Sequence, residues 1–206
     1  MSSTVSAMPR YPLVIFDMDG TLTEELLDFA AIRGEIGVSE GAGILEHILR
    51  LQGEERERAT VILHRHEMTA AESCVLHAGV VEMLQTLRAG GVRTALLTRN
   101  SRACAEVVLG RHGLAFEYVA TREQTPHKPH ADSILNICRR LGILPEQTLM
   151  VGDYLYDVQA AANAGVHSAL VCLKPGELPA FAVLATHVVR KLADLPAVVF
   201  ARRNDT

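Results

Sequence analysis

The sequence predicts an α/β fold in which a parallel sheet lies between layers of helices, with a small all-helical segment inserted after the first strand. From about residue 78 onward, short apolar runs alternate with helical periods. Repeated strand–helix–strand units of this kind form parallel sheets that helices cover on both faces. Between residues 24 and 77, by contrast, helical periods occur without a convincing strand. We therefore predict a core made of residues 1–23 and 78–206 and a helical insert made of residues 24–77.

The first strand is the apolar run at residues 13–16, which ends directly in the acidic stretch DMDG. The insert that follows is divided by glycines, which end helices and favour turns. The third helix of the insert carries the polar run HRHE at residues 64–67, which predicts a solvated surface patch. Three helices are predicted in the insert, at residues 26–36, 40–51 and 54–76.

The remainder of the chain alternates helices and strands, and a glycine follows most of the helices. The final stretch, from residue 174, offers only a weak strand at 187–190 and then a polar tail. Helices are predicted at 80–89, 102–112, 131–141 and 158–164, and strands at 92–98, 118–120, 148–152 and 167–173.

Composition argues against several classes of function. A formal net charge of -4 is unfavourable for a broad contact with nucleic acid, because binding to the phosphate backbone requires clustered cations. No apolar run approaches the ~20 residues of a membrane span, and the first residues lack the apolar block of a signal peptide. Four cysteines without a CxxC pair predict buried, reduced thiols. We therefore expect a cytoplasmic protein, monomeric or homodimeric, whose partner is a small molecule rather than nucleic acid or a membrane.

Acidic side chains follow two of the predicted strands. Asp17 and Asp19 come after the first strand, and Asp153 and Asp157 come after the strand at 148–152. In parallel sheets, ligands bind beyond the carboxyl ends of the strands. Carboxylates gathered there would repel each other unless a cation lay between them, and Mg²⁺ prefers such oxygen ligands. The sequence therefore predicts a magnesium site at this edge.

The same residue types suit hydrolysis of a phosphate ester. An aspartate beside a bound cation can attack phosphorus, while a second acid protonates the leaving oxygen and later activates water. Gly20 permits a sharp turn that brings backbone amides near the phosphate. Further donors to the phosphate oxygens are the hydroxyl of Thr98, the backbone amide of Arg99 and the ammonium group of Lys128.

The set DMDGT, LLT, a proline-flanked lysine and GDYLYD resembles the four motifs of the haloacid dehalogenase-like (HAD) superfamily, over residues 14 to about 173. The resemblance implies a Rossmann-like core, magnesium dependence and a phosphoaspartate intermediate. It also implies that Asp17 is the nucleophile and a metal ligand, and that Asp19 is the acid/base and offers its backbone carbonyl to the metal. By the same resemblance, Thr98 and Lys128 bind phosphate. Asp153 is then a direct metal ligand, and Asp157 is its partner in the second coordination sphere.

Within that superfamily, the dehalogenases lack the second aspartate, so Asp19 argues for a phosphatase. The helical insert resembles the type 1 cap of the phosphoglycolate phosphatase-like branch. In such a cap, Arg33 is our candidate to meet an anionic substrate group, and Asn100 is a candidate to orient the substrate. The expected activity is hydrolysis of a small phosphomonoester, phosphoglycolate-like or a sugar phosphate. A phosphomutase of the β-phosphoglucomutase type and a non-catalytic binding protein on the same fold remain alternatives.

Overall fold

The computed structural model of the chain describes residues 9–25, 27–124 and 126–201. Its centre is a six-stranded sheet in which all neighbouring strands are parallel. The strands are β1 (Leu13–Phe16), β2 (Arg93–Leu97), β3 (Tyr118–Ala120), β4 (Thr148–Gly152), β5 (His167–Val171) and β6 (His187–Val189). Their order across the sheet is β3-β2-β1-β4-β5-β6, so the first strand of the chain lies in the middle. The predicted α/β fold is confirmed.

The described part of the chain contains eight α-helices. Within those residues, no helix combines the length and the apolar character that crossing a membrane requires. The helices are α1 (Phe29–Ile36), α2 (Ile44–Arg50), α3 (Gly53–Ser73), α4 (Val80–Ala89), α5 (Arg102–His112), α6 (Asp132–Leu141), α7 (Leu155–Ala164) and α8 (Leu195–Phe200).

Strand β1 is buried on both faces because its side chains alternate between two cores. Val14 and Phe16 pack with helices α4, α5 and α8 on one side of the sheet. Leu13 and Ile15 pack with α6 and α7 on the other side. This two-residue alternation explains why the strand is a continuous apolar run rather than an apolar/polar pattern.

Helices α1, α2 and α3 follow β1 in sequence and form a small cluster of their own. Ile32, Ile44, Ile48 and Leu63 are its largest buried side chains. The later part of α3 packs instead against α5, and Ala71 belongs to the main core. The long helix α3 is therefore shared between the insert and the body of the protein.

Several predicted boundaries shift in the structure. Helix α1 begins at Phe29, and the predicted start at residue 26 lies outside the described residues. Helix α7 begins three residues earlier than predicted, at Leu155. The predicted polar tail is wrong as far as residue 200, because α8 buries Leu195 and Val199 in the main core. A helix of six residues is too short for its periodicity to be recognised in the sequence.

Candidate active site

The carboxyl ends of β1, β2 and β4 meet at one edge of the sheet, and polar side chains follow each of them. The N–H of Asp17 donates to the carbonyl of Val151 at 2.8 Å, which continues the ladder between β1 and β4 by one residue. The adjoining turn is fixed by Thr21, whose hydroxyl donates to Asp153 Oδ1 at 2.9 Å. The two acidic motifs of the sequence are therefore held against each other.

Gly20 is required by the space between those motifs. Its φ is +75°, a conformation that favours glycine, and a Cβ at this position would overlap the carboxylate of Asp153. The DMDG turn can therefore approach the second acidic motif only because residue 20 has no side chain.

Three carboxylates form a cluster at this edge. Asp17, Asp153 and Asp157 each offer an oxygen, and these oxygens lie within 4.8 Å of one another. The buried ammonium group of Lys128 lies 2.6 Å from Asp17 Oδ1 and 2.7 Å from Asp157 Oδ1. One lysine cannot balance three carboxylates, so the cluster keeps an excess of negative charge.

The pKa values of these groups reflect their burial first and then the charges of the cluster. Burial, together with repulsion from Asp17 and Asp157, raises the pKa of Asp153 to about 7. Burial also raises the pKa of Asp157 to about 6, although Lys128 opposes the rise. For Lys128, burial favours the neutral amine, but the two neighbouring carboxylates outweigh it and raise the pKa. A divalent cation among the three carboxylates would offset their repulsion, so these oxygen donors fit Mg²⁺.

Asp19 lies beside the cluster and has a different environment. Its carboxylate is partly open to a cavity but has protein around most of it, so burial, followed by repulsion from Asp17, raises its pKa to about 7. The side-chain amide of Asn100 donates to Asp19 Oδ2. A carboxyl group that titrates near neutral pH can donate a proton and then accept one.

Thr98 and Lys128 reach the same edge from different elements. Thr98 is buried at the end of β2, and its N–H donates to the carbonyl of Ala120 at 3.0 Å. The N–H of Asn100 donates in turn to Thr98 Oγ1 at 3.1 Å, which ties the loop after β2 to the threonine. Lys128 comes from the loop before α6.

Arg33 and Arg99, the two arginines predicted for the site, line a cavity beside the carboxylate cluster but do not contact the cluster itself. Arg99 lies 2.5 Å from Glu46 Oε1, and its guanidinium group stacks 4.7 Å from the ring centroid of Tyr156. Arg33 donates to the carbonyl of Ala42 at 3.4 Å. With the exception of Gly20, every predicted site residue lines one cavity of about 370 Å³, which also includes Glu46 and Tyr156.

The sequence interpretation missed one buried residue of the insert. Glu67 is only 3% exposed, and Arg122 donates two hydrogen bonds to its carboxylate, at 2.5 and 3.1 Å. The prediction that residues 64–67 form a surface patch is therefore wrong at Glu67. The position of Glu67 in the sequence could have indicated its burial. The buried face of α3 carries residues at four-residue intervals, namely Ala59, Leu63, Glu67 and Ala71.

Other residues of the cavity gave different signals. Tyr154 and Tyr156 lie inside the GDYLYD motif and could have been proposed from the sequence. No pattern in the sequence indicated that Glu46 would reach Arg99.

Comparisons with known proteins agree with this arrangement. The model of the haloacid dehalogenase-like hydrolase family matches residues 11–165. A haloacid dehalogenase-like hydrolase domain-containing protein of Arabidopsis thaliana is 31% identical over 82% of this chain and 74% of its own length. A phosphoglycolate phosphatase of Nitrosospira multiformis is 33% identical over 75% of this chain and 80% of its own length.

Solved structures show the same fold. A hydrolase from Pseudomonas syringae superimposes with a TM-score of 0.73 at 20% identity, over 88% of this chain and 94% of that one. The motifs at the sheet edge, the family match and the relatives together confirm the resemblance seen in the sequence. The chain belongs to the haloacid dehalogenase-like hydrolases, in their phosphoglycolate phosphatase-like branch.

Proposed function

We propose that this hydrolase is a magnesium-dependent phosphatase that acts on a small phosphomonoester through an aspartyl-phosphate intermediate. The observation that carries the proposal is the contact of 2.6 Å between Asp17 and the buried Lys128, beside two further carboxylates and an open cavity. A nucleophilic carboxylate held by a fixed cation at the floor of a cavity is suited to attack on phosphorus.

The metal ligands in this proposal are the carboxylates of Asp17 and Asp153 and the backbone carbonyl of Asp19, with Asp157 in the second coordination sphere. The raised pKa of Asp153 supports this choice, because burial and then repulsion from Asp17 and Asp157 disfavour its charged form, and a bound cation would offset both effects. Bound Mg²⁺ would neutralise charge on the phosphate and favour approach of a carboxylate to phosphorus.

The protein's own residues would act in two steps. In the first, Asp17 attacks phosphorus, the bond to the leaving oxygen breaks, and Asp19 gives that oxygen its proton. In the second, Asp19 takes a proton from water, whose oxygen attacks phosphorus and releases inorganic phosphate and free Asp17. The pKa of Asp19, raised to about 7, suits a group that must carry the proton in one step and lose it in the next.

Phosphate binding is assigned to residues around Asp17. The Lys128 ammonium and the Thr98 hydroxyl would contact the phosphoryl oxygens, and backbone amides near Gly20 and Arg99 would add further donors. Lys128 is suited to this role because its charge is buried and fixed between Asp17 and Asp157.

We also propose that residues 24–77 form a cap over a core made of residues 1–23 and 78–206. Arg33, Glu46 and Leu63 supply one wall of the cavity, and they come from α1, α2 and α3 respectively. A wall of this kind would exclude water and contact the leaving group.

The four cysteines are free, which supports a cytoplasmic enzyme.

The proposal is tested by measuring phosphate release from a panel of small phosphomonoesters, with Mg²⁺ and with a chelator, for wild type and Asp17→Asn. Release that requires Mg²⁺ and disappears in the variant would support it. A phosphomutase would return the phosphoryl group to a second hydroxyl and release no inorganic phosphate. Full activity in Asp17→Asn would contradict the mechanism. If folded, metal-loaded protein released no phosphate from any ester of the panel, a binding role would be favoured.

A further inference from the structure

An ion pair joins the helical insert to the body of the protein inside the cavity. Glu46, in α2, accepts from Arg99, which follows β2, at 2.5 Å. The Arg99 guanidinium group also stacks on the ring of Tyr156, with its Cζ 4.7 Å from the ring centroid. Both side chains therefore line the same cavity as Asp17 and hold each other in place there.

Unpartnered polar atoms surround this pair. Among the described side chains, Glu46 Oε2, Arg99 Nε and Arg33 Nε are buried and have no hydrogen-bond partner. All three residues line the cavity. Buried polar atoms are usually paired, because leaving them unpaired costs free energy. A ligand that reached these atoms by a small shift of the side chains would find one acceptor and two donors.

Gly43 allows the Glu46 carboxylate to take this position. A Cβ at residue 43 would overlap Glu46 Oε2 and would lie 2.7 Å from its Cδ. The backbone at Gly43 is extended, with φ of -71° and ψ of 131°, so its conformation does not itself require glycine. The absence of a side chain is what lets the carboxylate fold back over the start of α2.

Charge and size both bear on the substrate. The Glu46 carboxylate offsets the charge of Arg99, and it would repel a second carboxylate placed beside it. A hydroxyl group, by contrast, can donate to Glu46 Oε2 or accept from the arginine Nε atoms. The cavity of about 370 Å³ also lies within the ~300–1,000 Å³ typical of sites that enclose ligands larger than a two-carbon acid.

We infer that the leaving group of the substrate is a neutral polyol or sugar whose hydroxyls bind Glu46, Arg99 and Arg33, rather than a group that carries a carboxylate. This inference rests on the proposed phosphatase activity, because it concerns the other end of the same cavity. Glu46 is then a specificity residue that accepts a hydroxyl hydrogen bond and disfavours a carboxylate placed beside it.

The test compares kcat/KM for two classes of ester. Glycerol 3-phosphate and glucose 6-phosphate represent neutral polyols, 2-phosphoglycolate and 3-phosphoglycerate represent carboxylates, and p-nitrophenyl phosphate has neither group. We expect wild type to favour the polyol esters. Glu46→Gln should lower the polyol-to-carboxylate ratio by about tenfold, the effect of one charge-assisted hydrogen bond.

Two further variants separate the position of the carboxylate from general damage. Gly43→Ala keeps every charge but displaces the Glu46 carboxylate, so it should lower the same ratio. Glu55→Gln alters an exposed glutamate of α3 that does not line the cavity, and should leave the ratio unchanged.

A wild-type preference for the carboxylate esters, or a ratio unchanged in both Glu46→Gln and Gly43→Ala, would overturn the inference while leaving the phosphatase proposal in place. Release from none of the esters, p-nitrophenyl phosphate included, would overturn the phosphatase proposal and this inference with it.

Discussion

Asp153→Asn should make the metal-free protein more stable at alkaline pH while abolishing its activity. Asp153 lies in the carboxylate cluster, and its Oδ1 accepts from the Thr21 hydroxyl at 2.9 Å. Asparagine has nearly the same shape, and its Oδ1 can accept the same hydrogen bond. The substitution therefore removes mainly the negative charge, which lies near Asp17 and Asp157 without enough positive charge to balance it.

The size of the effect follows from the pKa of Asp153, which rises from 3.8 to about 7 in the folded protein. At about 1.4 kcal/mol per pH unit, this rise corresponds to about 4 kcal/mol. The side chain is partly open to the cavity, and solvent screening reduces the figure to about 2 kcal/mol. Because the folded pKa is the higher one, the folded state holds the proton more tightly. The penalty is therefore absent below pH 3.8, grows between pH 3.8 and about 7, and is complete above that.

The assay is urea unfolding of both proteins with a chelator, at several pH values from 4.5 to 8.5. The free energy of unfolding of Asp153→Asn should exceed that of wild type by about 2 kcal/mol at pH 8.5, and the difference should shrink towards pH 4.5. Adding Mg²⁺ at pH 8.5 should stabilise wild type much more than the variant. A variant less stable than wild type at pH 8.5, or a difference that does not change with pH, would refute the reasoning.

Three further substitutions have defined outcomes. Asp19→Asn should lower kcat for phosphate release by about 10²–10⁴-fold, because no proton can be transferred at that atom, and near-normal turnover would exclude its role as acid and base. Gly20→Ala should lower the free energy of unfolding by at least about 1–2 kcal/mol from the positive φ alone. It should also reduce activity because the added methyl overlaps Asp153, and an unchanged midpoint in urea unfolding would contradict this prediction. Arg122→Met should cost about 3–5 kcal/mol because it removes the cation that balances the buried Glu67 carboxylate. Glu67→Leu should cost less because the Arg122 side chain is 17% exposed and can reach solvent; equal losses in urea unfolding would refute that asymmetry.

The sequence predicted the sheet and the placement of the carboxylates because both depend on local patterns. Apolar runs identify the strands, and the parallel order brings their carboxyl ends to one edge, so Asp17 and Asp153 were expected to meet. The partners of Arg99 and Glu67 depend instead on how the insert packs on the body of the protein. Glu46 reaches Arg99 because the start of α2 lines the cavity and Gly43 leaves room for the carboxylate, and neither condition has a signature in the sequence.

Helix α3 spans two packing environments, and this has a consequence for how substrate reaches the site. Its early turns hold Ala59 and Leu63 in the small cluster with α1 and α2, while Ala71 lies in the main core. Glu67 lies between these regions, on the buried face of α3, and pairs with Arg122. We therefore expect the later turns of α3 to stay on the body of the protein when substrate enters, so that opening of the site involves α1, α2 and the early turns of α3 rather than rotation of the whole insert.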